Sequence, residues 1–337
     1  MSARPLTVAI LGPTTVVGRE LVPVLHESGL PLATIRLLGQ GEEVGESVEH
    51  EDESYQVVEL RRDSFAGVDV VFVPPNVEVP AEFLDAARKA GALRIDASGH
   101  AGDAPLIFPG INDEELEELE ETKGATIALA SASAAQLAAV LLPLEAKAGV
   151  RRIDVVSLEA VSGFGIPGME ELSMQTVSLL SGKEPDRAIF PHRVAFNLVP
   201  QLGAFEPSGE TVRERRIALE LGRLLGREAP ELSITCALVP VFYGTSQFIT
   251  LATDRPIGAA AAREALAGAE SVKVLDEPGE GVYPMPTLAV GDEALHVGRI
   301  RETGAGLALL SVADNLRWGT VVPMVRVVEL LREAERI

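Results

Sequence analysis

Residues 6–18 read LTVAILGPTTVVG. Leu6–Leu11 is a continuous apolar run of the kind carried by a strand buried on both faces. Gly12-Pro13-Thr14-Thr15 breaks that run, and a helical pattern then continues to about Gly29. Strand, glycine turn and helix in this order form a βα phosphate-loop pattern. Gly12 suits the tight turn, and Gly18 lets helix and strand pack closely. Thr15, however, stands where a dinucleotide loop places a glycine so that backbone can approach a pyrophosphate. Gly12, Thr14, Thr15 and Gly18 are therefore candidate nucleotide-binding residues. A structural loop capped by Thr14 or Thr15 accounts for the pattern equally well.

Working outward, strands are expected near Ala33–Leu38, Tyr55–Leu60, Val68–Val73 and Leu93–Asp96, with a helix near Ala81–Ala90. Alternation of this kind predicts an α/β fold with a Rossmann-like, doubly wound sheet. Gly39-Gln40-Gly41-Glu42-Glu43 follows the second strand, where such sheets read an adenosine ribose. Acidic residues there, Glu42 in particular, accept from a 2′-hydroxyl and repel a 2′-phosphate, which favours NAD over NADP. A solvated acidic loop is the competing explanation. The run EELEELEE (114–121) reads as an exposed helix face without a function.

Residues 127–144, IALASASAAQLAAVLLPL, mark the handover between two halves of the chain. Ile127–Leu129 ends a buried strand, Ala130–Ala134 reads as a small-residue turn, and Ala135–Leu144 as an apolar helix. Such a turn, with converging N–H groups and a helix dipole, is a seat for a thiolate or an oxyanion. Ser131-Ala132-Ser133-Ala134 offers no thiol.

Composition narrows the function classes. The 337 residues, 47% of them apolar, are enough for two domains. A net charge of −21 argues against nucleic acid or an anionic membrane surface as the main partner. One cysteine rules out an internal disulfide framework and fits a reducing cytoplasm. No metal site is expected, and the apolar runs are too short or too interrupted to span a membrane.

Beyond Arg151 the pattern changes to long strands at Ile153–Val161, Leu232–Phe242, Gln247–Thr253, Leu295–Arg301 and Leu307–Ala313. Helices are expected near Met169–Leu180, Val212–Leu225 and Ala259–Ala267. This is the signature of an α+β second domain. The boundaries expected are 1–130 for the first domain, rejoined by a C-terminal helix at 316–337, and 131–315 for the second.

The phrases VSLEAVSGFG (156–165), FPHRVAFNLVPQLG (190–203), TCALVPVFYG (235–244), VYPMP (282–286), HVGRIRE (296–302) and VADNLRWG (312–319) resemble the bacterial aspartate-semialdehyde dehydrogenase family, in order and spacing. The resemblance covers essentially the whole chain. It implies a Rossmann domain, a glyceraldehyde-phosphate-dehydrogenase-like second domain, and a homodimer built through that second domain. It also implies an NADPH-linked oxidoreductase of amino-acid biosynthesis, working through a cysteine thioester.

Position by position, the resemblance implies that the chemistry has been lost. The family's Asn-Cys-Ser-Thr matches 131–134, so the nucleophile position holds Ala132. Thr245 stands at the position of the basic histidine, and Leu238 at that of the arginine that grips the substrate carboxylate. Glu159 matches the orienting glutamine. No arginine or lysine follows Asp96 in Ala97–Asp103, where the family grips phosphate. Arg213 and Arg216 lie near the family's Glu/Lys pair. Cys236 falls on a strand position and is expected to be buried and structural. The chain thus resembles the non-catalytic, Usg-type relatives of the enzyme, with a binding or regulatory role. The cofactor is left unknown, with NAD open and NADP disfavoured. The alternative is an NAD-dependent oxidoreductase acting on an aldehyde or oxo group without covalent catalysis, using Glu159, Ser133 or Tyr243. A mixed dimer with an active paralogue is a further form of the binding role.

Overall fold

The computed structural model describes residues 4–226, 229–304 and 306–337. They form two compact units: the described residues up to Ala130 with Thr320–Ile337, and Ser131–Gly319. The return to the first unit comes four residues later than the sequence suggests.

In the first unit the chain runs β1 (Leu6–Leu11), α1 (Val16–Glu27), β2 (Leu32–Gly39), β3 (Ser47–His50), β4 (Glu53–Glu59), β5 (Val70–Val73), α2 (Ala81–Lys89), β6 (Leu93–Asp96), β7 (Leu106–Ile107), α3 (Glu114–Glu117) and β8 (Thr126–Leu129). The strand order is β3-β4-β2-β1-β5-β6-β8-β7, and every pairing but β3–β4 is parallel. β1 lies between β2 and β5, so the order reverses on either side of its carboxyl end. That is the switch point at which doubly wound sheets bind ligands. Val8, Ala9, Ile10 and Leu11 are fully buried, as a central parallel strand requires. A Cβ on Gly18 would lie 2.3 Å from the Gly12 carbonyl oxygen, so only glycine lets α1 start this close to the loop.

The EELEELEE segment is helical only over Glu114–Glu117. Six glutamates in eight residues put like charges at i, i+3 and i, i+4, which opposes a longer helix. The Arg336 guanidinium donates instead to the carbonyls of Leu116, Glu117 and Leu119.

The second unit opens with α4 (Ala132–Ala148) and continues through β9 (Val150–Glu159), α5 (Gly165–Leu180), α6 (Val212–Leu224), β10 (Glu231–Leu238), β11 (Thr245–Thr253), α7 (Ala259–Ala267), β12 (Val272–Val274), α8 (Pro286–Ala289), β13 (Leu295–Glu302) and β14 (Gly306–Ala313). A π-helical turn at Arg317–Val321 leads to α9 (Val322–Glu333), which packs on α1 and β6 of the first unit. The expected strand 232–242 stops at Leu238, shortly before Pro240, which has no N–H to give a ladder. The second sheet has the order β10-β9-β11-β14-β13-β12 and is mixed. α4 packs across β9, β11 and β14. On the opposite face Val156 and Phe248, cross-strand partners, remain about half exposed.

Ala132–Ala134 is not a turn, as expected from the sequence, but the first turn of α4. Ser131 takes the extended N-cap conformation (φ −64°, ψ 145°), and the alanines that follow enter the helix at little cost.

Candidate functional site

In the first unit Thr15 is the N-cap of α1. Its Oγ1 accepts from the Gly18 N–H at 3.0 Å and donates to the Gly12 carbonyl at 2.8 Å. The loop is therefore closed on itself by the residue that replaces the expected glycine. Beside it lies a cavity of about 200 Å³, bounded by Gly12 and Thr15 of the loop and by residues that follow β2, β4 and β5. The acidic residue on this cavity is Glu43, whereas Glu42 is exposed and does not line it. The arrangement has a local cause: Gly41–Glu43 forms a 3₁₀ turn, which swings Glu43 back so that its Oε1 accepts from the Gln40 N–H at 2.8 Å. Its Oε2 accepts from Thr14 Oγ1, also at 2.8 Å. Thr14 thus orients a carboxylate.

In the second unit the seat at the start of α4 is built from β9, β10, β11 and α6. Ala132 is buried, and its methyl carbon lies 2.4 Å from where a Cβ on Gly319 would be. Gly319 therefore lies directly against the Ala132 methyl, and only glycine fits there. One residue into the helix, Ser133 Oγ donates to Glu159 Oε1 at 2.9 Å. Arg213 joins both, with Nε donating to Glu159 Oε2 at 3.0 Å and Nη2 donating to Ser133 Oγ at 3.2 Å. Burial opposes the charge on Arg213, and the Glu159 carboxylate overrides it, holding the guanidinium above its usual pKa. A second ion pair stands beside the first. Glu220 accepts from the Ser131 N–H at 2.9 Å and from its hydroxyl, and Arg216 Nε donates to the same carboxylate at 2.7 Å. The two cations of this site are therefore both held by the chain's own carboxylates.

Underneath, one row of the sheet is polar and fully buried. Cys236, Ser157, Gln247 and Ser311 are successive register partners on β10, β9, β11 and β14. Gln247 Nε2 donates to the Ser133 carbonyl at 2.8 Å, and Gln136 Nε2 to Ser311 Oγ at 2.9 Å, which fixes α4 on the sheet.

The lone thiol, Cys236, is wholly buried, and its backbone N–H donates to Glu214. Burial, followed by the nearby Glu159 charge, pushes the thiol far above its ordinary pKa, so it stays protonated. Thr245 and Leu238 are register partners of Glu159 from either side. Leu238, Glu159 and Thr245 thus lie in one row at the end of the sheet. Thr245 is buried, and Leu238 joins an apolar cluster with Val161, Leu172, Phe190 and Val199. The loop after β6 turns on Asp96, whose Oδ1 accepts from the N–H and hydroxyl of Ser98. Among the described residues there is no group of three or more His, Cys, Asp or Glu that could hold a metal ion.

Sequence reasoning missed Glu43, Glu220 and the pairing of Arg213 with Glu159. Of these only Glu43 left a local signal, as one of two adjacent glutamates after β2.

Residues 7–119 match the family described as semialdehyde dehydrogenase, NAD binding domain, and residues 141–318 that described as semialdehyde dehydrogenase, dimerisation domain. Aspartate-semialdehyde dehydrogenase of Aquifex aeolicus is 35% identical over 96% of this chain and 97% of its own length. A USG-1 protein homologue of Pseudomonas aeruginosa is 34% identical over 98% of both chains. The fold superimposes on aspartate semialdehyde dehydrogenase II of Vibrio cholerae with a TM-score of 0.92, at 28% identity over 98% of this chain and 99% of that one. By sequence and by fold, the chain belongs to the semialdehyde dehydrogenase family.

Proposed function

We propose that this chain is a catalytically inactive, dimeric member of its family with a binding or regulatory role. Thioester chemistry needs a thiolate at the start of α4, a base beside it and cations left free for substrate anions. Ala132 supplies no nucleophile, and Thr245 cannot serve as the base. Leu238 is committed to an apolar cluster. The observation that carries the reading is the pair of internal ion pairs: Arg213 with Glu159, and Arg216 with Glu220. Each guanidinium already turns its Nε to a fixed carboxylate, which weakens its net attraction for a substrate carboxylate or phosphate.

The same contacts oppose a non-covalent oxidoreductase that uses Ser133 and Glu159. Ser133 is fully buried, and both groups are spent on each other and on Arg213. Loss of a nucleophile and its base in such units removes roughly 10⁶ of rate.

Dimerisation is assigned to the second unit. Met174, Val177 and Leu180 expose 63%, 62% and 76% of their surface at three-residue spacing on α5, and Phe196 and Phe205 are similarly bare. Apolar side chains repeated along one helix face mark a surface that a partner covers.

The test is turnover. The purified protein, given aspartate semialdehyde, phosphate and either NAD or NADP, is expected to form no reduced cofactor. Activity that follows this protein through purification would overturn the reading.

A further inference from the structure

The chain that follows α5 is fastened at several points. Glu171 and Gln175, one helical turn apart on α5, are both buried. Glu171 accepts from the backbone N–H groups of Ala188, Ile189 and Phe190, and Gln175 Oε1 from those of Val194 and Ala195 at 2.9 and 3.1 Å. Further on, Val199 exchanges both of its backbone hydrogen bonds with Leu238, at 3.0 and 2.8 Å. The side chains of Val194, Ala195 and Val199 are buried in the apolar cluster that contains Leu238. Phe196, Asn197 and Leu198, between these fixed points, are exposed.

At the tip, Phe196 has a φ of 56°, in the left-handed region. A side chain at that angle crowds the following carbonyl, and glycine is the residue that adopts it freely. Among the described residues, the other non-glycine positions with positive φ are Glu51, Asn76, Ser271, Arg299 and Glu335, all of them polar. Phe196 is the apolar exception. Burial within the chain does not offset the strain, because 64% of its surface is bare and Leu198 beside it is 51% exposed. A firmly held loop thus keeps a strained backbone and turns a large apolar side chain outward.

We propose that Phe196 is a pre-set anchor of the dimer: a second copy of this chain buries its ring, and the fastened loop removes the need to order that ring on association. The proposal rests on the dimeric reading above and adds which residue carries the contact and why its backbone is strained. Two observations favour a second copy as the partner. The loop lies within the dimerisation domain, and the bare stripe of Met174, Val177 and Leu180 runs along the same helix, α5, that fastens it. In a two-fold pair each copy presents the same patch, so the two loops supply two anchors.

Sedimentation equilibrium of the full chain over a dilution series tests it, together with urea unfolding at concentrations where the variants are monomeric. Phe196→Ala and Phe196→Gly are each expected to raise the dimer dissociation constant about tenfold or more. As monomers, the glycine variant should unfold at a higher urea midpoint than the alanine variant, because both lack the ring and only glycine relaxes a positive φ. Val58→Ala, half exposed on β4 of the first unit, should leave the dissociation constant within about threefold of wild type. A wild-type chain that stays monomeric at every concentration would overturn the dimeric reading itself. A wild-type dimer that Phe196→Ala weakens less than about tenfold would overturn this proposal alone. So would a glycine variant no more stable than the alanine one, or Val58→Ala weakening the dimer as much as Phe196→Ala.

Discussion

Ala132 and Gly319 bear on what a thiol at the start of α4 could do. A thiol at 132 would enter space that the Gly319 backbone borders, one residue before the Ser133 hydroxyl that holds Glu159, and with Thr245 rather than a histidine opposite Glu159. Ala132→Cys is expected to fold and to remain without dehydrogenase activity. Its thiol should react slowly with iodoacetamide at pH 7, and rapid labelling together with turnover would contradict this. Glu159→Gln removes the partner of Arg213, whose side chain is 27% exposed. Solvent reaches that guanidinium, so a cost of about 1–3 kcal/mol is expected in urea unfolding, below the ~3–5 kcal/mol of a fully buried pair. Glu159→Gln with Arg213→Met should recover most of that loss.

Cys236 adds a pH dependence. Its folded-state pKa lies above that of the unfolded thiol, ~8.5, so the folded state holds the proton longer. Its contribution is therefore fully present below about pH 8 and declines as the pH rises past the unfolded value. The denaturation midpoint should drop on the alkaline side, and the drop should shrink in Cys236→Ala.

At the scale of elements, the helix starts carry both units. Thr15 caps α1 while closing the loop after β1, so Thr15→Ala is expected to cost about 1 kcal/mol, read by chemical denaturation. The buried strand, the glycine turn and α1 were legible because a continuous apolar run followed by Gly12 and Gly18 has few other solutions. The start of α4 was misplaced by three residues, since alanine and serine occupy turns and first turns alike. Ser131 is held at the N-cap position by Glu220, 89 positions away, which accepts from its N–H. The same limit hid the Arg213–Glu159 pair, which spans 54 positions. Which of the neighbours Glu42 and Glu43 faces the cavity is decided by a single 3₁₀ turn, which the sequence does not display.

Over the whole molecule, the family phrases made the fold legible, and the structure adds that Gly319 packs on Ala132 and that carboxylates hold Arg213 and Arg216. None of the described helices is long and apolar enough to cross a membrane. With the bare apolar face of α5 as the interface, a dimer is expected in light scattering, and Val177→Asp with Leu180→Asp should yield monomers. Co-purification from the native host distinguishes a self-only dimer from one mixed with an active paralogue. The most direct test of the central claim is the reductive-dephosphorylation assay run in reverse, with aspartate semialdehyde, phosphate and NAD or NADP, on the wild-type chain. No reduced cofactor above the enzyme-free rate is expected, and turnover that co-elutes with the protein would contradict the loss of chemistry.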